Sequence, residues 1–125
     1  MDFLDLQNDE MNELEKSYQE YGFPVVTFHR YGGRHIASFN KHAQKTLCNY
    51  SRVKIYANAE YVVFQPSDKN DWHAYCLNHT KVGGCTTTCK EFGRLMLQGK
   101  AYKLYNTKKG FAIKRNEPLK QKVSE

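Results

Sequence analysis

The chain lacks every common long-range signal of a membrane protein or of an enzyme. It contains no apolar run of the roughly 18 residues that a membrane-crossing helix needs. Its first residues, MDFLDLQNDE, are acidic and have neither a basic leader nor an apolar core, so they do not read as an export signal. The cytoplasm is the expected compartment, where thiols stay reduced. There is no glycine-rich phosphate loop, nucleophile elbow or pair of closely spaced carboxylates, so no enzyme is expected. The acids Asp68, Asp71 and Glu91 in the middle of the body are accounted for by turns and a helix start. With 125 residues, the chain is expected to form a single domain with a modest core.

What is present is unevenly charged. Of the 13 acids and 19 bases, residues 1–20 hold seven acids and one base, leaving six acids and 18 bases for residues 21–125. An acidic arm therefore leads into a basic body, which suits nucleic acid or an acidic protein surface. In the arm, Met11, Leu14, Tyr18 and Tyr21 fall on one face of a helix expected over residues 9–21. Asp9 would cap it, and Gly22 and Pro24 would end it.

The body reads as the same pattern written twice at an offset of about 50 residues. In residues 24–66, strand PVVTFHRY, turn Gly32-Gly33 and strand RHIA lead to a helix FNKHAQKTL capped by Ser38. Strands RVKIYA and EYVVFQ follow around an Asn58-Ala59 turn. In residues 72–115, WHAYCL, Gly83-Gly84, a helix CKEFGRLML capped by Thr88 with Glu91, and strands AYKLYN and FAIKR repeat it. Gly99 would stop that helix and Lys109-Gly110 would turn the last hairpin. QPSDKND joins the halves, residues 1–22 form the arm, and 116–125 form a polar tail. The expected fold is α+β: an N-terminal helix plus duplicated strand–turn–strand–helix–hairpin halves packed into a small barrel-like body. Tyr31, Tyr50, Tyr56, Tyr61, Tyr75, Tyr102 and Tyr105 suit strand faces. Packing accounts for most of them better than a base-stacking surface does.

Three of the four cysteines crowd into CLNHTKVGGCTTTC. Cys76 and His79 lie where a strand enters a turn, Cys85 and Cys89 flank the predicted helix start, and Gly83-Gly84 permits the reversal between them. Three sulfurs and an imidazole form a closed structural zinc set, and structural Zn2+ is the favoured reading. The rivals are a Cys85–Cys89 disulfide, or cysteines used as small buried hydrophobes. His73 is a substitute ligand from the same strand. Cys48 is expected in the core, and His29, His35 and His42 at the surface or in the hairpin.

The first half, VVTFHRYGGRHIASFNKHAQKTL followed by RVKIYANAEYVVFQPSD, resembles the swapped-hairpin domain of bacterial transition-state regulators and antitoxins. The matching features are Gly33-Arg34, the helix ending Thr46-Leu47 and the hairpin from Val53 to Gln65. The resemblance implies DNA contact through Arg30, Arg34, Lys41 and Lys45. Cys85 stands in the second half where Arg34 stands in the first, so one reading surface is expected, not a symmetric pair. The short chain, acidic leading helix and Tyr- and Lys-rich body are also similar in character to phage-encoded anti-CRISPR inhibitors of type II nucleases. That resemblance implies a monomeric protein–protein interaction module in a host bacterial cell that blocks target-DNA loading. Asp5, Asp9, Glu13 and Glu20 would face the nuclease, with Arg30, Arg34, Lys41 and Lys45 on an acidic patch. The inhibitor is the leading expectation, and the DNA-binding regulator is its alternative.

Overall fold

A computed structural model of the chain describes residues 21–119 apart from 48, 81, 82, 96, 98 and 99. The expected arm helix with its Asp9 cap, Cys48, the Gly99 stop and the end of the tail lie outside the described residues. No helix among the described residues is long and apolar enough to cross a membrane.

Among the described residues, ten strands and two short helices follow one another in an α+β arrangement. The first half gives β1 (Val25–Tyr31), β2 (Arg34–Phe39), α1 (Lys41–Leu47), β3 (Arg52–Ala57) and β4 (Tyr61–Ser67). The second gives β5 (Tyr75–Cys76), β6 (Asn78–His79), β7 (Cys85–Thr88), α2 (Glu91–Arg94), β8 (Lys100–Lys103), β9 (Tyr105–Thr107) and β10 (Gly110–Lys114). These strands form two five-stranded antiparallel sheets, ordered β6-β7-β2-β1-β8 and β5-β3-β4-β10-β9. The sheets are not closed into a barrel, which corrects the expected barrel-like body. They are linked by chain continuity, because β5 runs into β6 through Leu77 and β8 into β9 through Leu104. Each bend is tied by a backbone bond, Leu77 N–H to Ser51 O at 2.8 Å and Leu104 N–H to Pro24 O at 3.0 Å.

The local signals explain most of these elements. Gly32 and Gly33 both take positive φ, 57° and 80°, as a two-residue hairpin turn requires. The Asn58 side chain accepts the backbone N–H groups of Glu60 and Tyr61 at 2.8 and 2.7 Å, closing the β3–β4 turn. The helix caps differ from expectation. Asn40, not Ser38, caps α1: its Oδ1 accepts from the Ala43 and Val25 amides, and its Nδ2 donates to Phe23 O. Ser38 is on β2, where its hydroxyl meets His29 Nε2 at 2.7 Å. Thr88 ends β7 and makes no cap, because α2 starts behind Lys90 without a side-chain cap.

The core lies between the sheets. Phe64 of β4 is fully buried and meets Phe28 of β1 at 6.3 Å and Phe39 of β2 at 5.1 Å between ring centroids. Phe28 also meets Phe92 of α2 at 5.1 Å and Tyr102 of β8 at 5.7 Å, both edge to face.

Register relates the halves residue by residue. The β1–β2 pairs His29↔Ile36 and Arg30↔His35 correspond, 49 and 50 residues later, to the β6–β7 pairs Asn78↔Thr86 and His79↔Cys85. A shift of 49 carries the β3–β4 pairs Tyr56↔Val63 and Ala57↔Val62 onto the β9–β10 pairs Tyr105↔Ala112 and Asn106↔Phe111. Between the halves, the β1–β8 pairs Val26↔Tyr102 and Thr27↔Ala101 correspond to the β5–β3 pairs Tyr75↔Val53 and Cys76↔Arg52. At the two remaining seams, Ala37 pairs with Thr87 and Val63 with Ala112, each a position facing its own counterpart.

Candidate functional site

The structure divides the four cysteine-cluster residues between core and surface. Cys85 opens β7 and Cys89 follows it, and both side chains are buried in the hydrophobic core. Cys76 and His79 are exposed on β5 and β6. His79 is the register partner of Cys85, yet its ring nitrogens are already engaged. Nδ1 lies 3.2 Å from Gln44 Oε1 and Nε2 lies 2.9 Å from Tyr50 O. Burial pushes the Cys85 thiol up to about 12. Cys89 hydrogen-bonds the Tyr75 hydroxyl, which together with burial raises the tyrosine to about 12. The four residues are thus split between core and surface. No group of three or more His, Cys, Asp or Glu residues among the described residues is arranged to hold a metal. The three described cysteines, Cys76, Cys85 and Cys89, are free thiols.

The four basic residues are all exposed, but the fold distributes them over two corners. Arg30 and Arg34 sit at the tip of the β1–β2 hairpin, which packs against α2 of the other half. The backbone shows the seating: Cys89 N–H donates to His35 O at 3.0 Å, and a Cβ on Gly93 would lie 2.9 Å from the His35 ring. Lys90 and Arg94 are the exposed cations of that helix and the residue before it, and Arg94 pairs with Glu91 at 3.5 Å. At the second corner α1 meets the turn of the second hairpin. A Cβ on Gly83 would stand 3.5 Å from Lys41 Cβ, and His79 reaches Gln44. Lys41 and Lys45 belong to this corner. The six residues of β2 separate the corners by roughly 20 Å.

The basic residues supplied by α2, Lys90 and Arg94, escape a reading that treats each hairpin with its own helix. A signal for them existed in the repeat, since α2 stands in the second half where Lys41 and Lys45 stand in the first. The acids Asp5, Asp9, Glu13 and Glu20 lie outside the described residues. The tyrosines also depart from expectation. Only Tyr102 of the seven is fully buried, whereas Tyr31, Tyr50, Tyr56, Tyr61 and Tyr105 are exposed. A shallow cleft of about 310 Å3 opens between α2 and the edge of β3, lined by Ile55, Ala57, Tyr75, Cys89, Glu91, Arg94 and Leu95.

Comparison of the chain with family models, with curated proteins and with solved structures found no match.

Proposed function

We propose that the protein is a DNA-binding module of the swapped-hairpin kind, with both halves supplied by one chain. The observation that carries this reading is the exchange at the two corners, where each hairpin tip lies against the helix of the other half. The matching ladders at offsets of 49 and 50 support a duplicated body of this type. Each corner presents exposed cations: Arg30 and Arg34 with Lys90 and Arg94 at one, and Lys41 and Lys45 at the other. Phosphates would be held by these side chains, and the net positive charge of the body would draw the duplex in. The role is binding, and no covalent chemistry is assigned to any residue.

The leading expectation, inhibition of a type II nuclease, depends on the acids of residues 1–20, and the described body adds nothing in its favour. Titration of a labelled duplex separates the two readings. Wild-type protein should bind duplex DNA with affinity that falls steeply as salt rises. Arg30→Glu with Arg34→Glu should weaken binding and flatten the salt slope by about 0.9 for each phosphate no longer held. Lys41→Glu with Lys45→Glu should do the same at the other corner. An inhibitor would leave free duplex alone and form a complex with the nuclease. Failure of wild-type protein to bind duplex at about 50 mM salt, where phosphate binding is little screened, overturns the proposal.

A further inference from the structure

The outer face of the second sheet carries a feature that DNA contact at the corners does not use. Across four of its strands, β3, β4, β10 and β9, runs one outward row, Tyr56–Val63–Ala112–Tyr105, fixed by the pairs Tyr56↔Val63, Ala112↔Val63 and Ala112↔Tyr105. Val53, Val62, Phe64, Phe111 and Ile113 fill the inner face and are buried, so the core makes no demand on the outward tyrosines. Tyr56 is 52% exposed and Tyr105 38% exposed. The row places counterpart positions symmetrically about its middle. Tyr56 and Tyr105 are counterparts 49 residues apart, as are Val63 and Ala112. Two residues before each tyrosine stands a lysine, Lys54 and Lys103. An exposed Tyr with its Lys therefore occurs in both halves, at positions where packing requires neither.

The charge on this face has one sign once its ion pairs are counted. Lys103 Nζ lies 5.3 Å and Lys114 Nζ 5.0 Å from the centre of the Tyr105 ring, and Arg52 lies over the Trp72 ring at 5.7 Å. The acids nearby are held by lysines: Asp71 by Lys54 at 3.0 Å and Glu117 by Lys114 at 3.5 Å. Adjacent strands are about 4.8 Å apart, so the two tyrosines stand about 14 Å from each other with only small side chains between them. That puts a ring at either side of the row with cations around it.

We propose that this face binds single-stranded nucleic acid, with unpaired bases stacking on Tyr56 and Tyr105 and phosphates meeting Lys103. Positive charge selects a polyanion, and exposed rings select one that offers flat apolar faces. A duplex keeps its base faces stacked inside, out of reach of exposed rings. An unpaired strand offers bases and phosphates together. An acidic polypeptide would satisfy the cations but has no need of the paired tyrosines.

The test is fluorescence anisotropy with labelled oligo(dT) and oligo(rU) of about 12 nucleotides, a length within the range one such platform covers. The full chain should bind both oligonucleotides, more weakly as salt rises. Tyr56→Ala with Tyr105→Ala should weaken binding at least about tenfold, the loss expected for one stacked base. Tyr56→Phe with Tyr105→Phe should retain it. The corner variant Arg30→Glu with Arg34→Glu should weaken duplex binding and keep the single strand, so the two sites fail separately. Should circular dichroism show that the double alanine variant is unfolded, Lys103→Glu replaces it and must weaken binding. The proposal is overturned if wild-type protein ignores both oligonucleotides, if the folded alanine variant or Lys103→Glu binds as wild type does, or if only poly-glutamate is bound.

Discussion

Thr87 sits at the centre of the seam between β2 and β7, opposite Ala37, and both residues are wholly buried. Among the described residues its hydroxyl is the one buried side-chain polar atom with no hydrogen-bond partner. Valine has nearly the same shape, keeps the β-branch that suits a strand, and replaces the hydroxyl with a methyl group. Leaving a buried hydroxyl unpaired costs about 1–3 kcal/mol by mutational measures. Burying a methyl group instead contributes up to about 0.8 kcal/mol. Taking the low end of the first figure and discounting the second for local strain, Thr87→Val should stabilise the protein by about 1–2 kcal/mol. In a body of this size that raises Tm by roughly 4–12 °C. Urea denaturation should show a higher midpoint with an unchanged slope, because the surface exposed on unfolding stays the same. A variant that is equally or less stable would mean the hydroxyl is satisfied in solution, and the argument from an unpaired group would fail.

Other consequences are as direct. Gly110 has φ 142°, and a Cβ there would come within 2.3 Å of the Phe64 carbonyl oxygen, so Gly110→Ala should cost about 3 kcal/mol or more by thermal denaturation. Asp71 is held at about 2 by its hydrogen bonds from Ser67 and Lys54. Its folded value lies below the unfolded one, so its contribution is complete above about pH 4 and is lost as pH falls toward 2. Asp71→Asn should remove that part of the acid dependence in melts run across the window. Elemental analysis of freshly reduced protein should give well below one zinc per chain, and chelation should leave Tm unchanged. Equimolar zinc that is lost together with stability in Cys85→Ser would refute the packing assignment of these cysteines.

Much of the first half is legible because its signals are local. Gly32-Gly33 and Asn58-Ala59 mark turns by their own chemistry, and the strands around them alternate. The second half is harder for a physical reason. WHAYCL reads as one strand, but Asp68 to Ala74 form turns, and the strand that follows bends at Leu77 to serve both sheets. AYKLYN bends likewise at Leu104. A bend that keeps buried residues buried leaves no mark in a periodic pattern. CTTTC reads as a helix start because Thr88 and Glu91 have capping-box spacing, yet the long-range ladder with β2 holds Cys85–Thr88 as a strand. The same tertiary exchange decides where the basic residues go. Arg34 and Lys41 are close in sequence, but they stand at opposite corners because each is completed by the other half.

The crowding of cysteines finds its account in how the two halves share one core. Register counterparts within that core are unequal in size. Phe28, Phe39 and Phe64 in the first half correspond to Leu77, Cys89 and Ile113 in the second, while Val53 and Val62 correspond to Tyr102 and Phe111. A large residue on one side therefore goes with a small one on the other, as close packing between two sheets requires. Cys89 is the small member of its pair, set where Phe39 has its bulk, and the cleft beside it opens where that bulk is missing. Cys85 enters the same core at the start of β7 as the partner of Phe39. Cys76 and His79 remain outside, exposed on β5 and β6 at the edges of the two sheets. Four residues that are neighbours in sequence are thus divided between core and edge by the asymmetry of a core that neither half could fill with copies of itself.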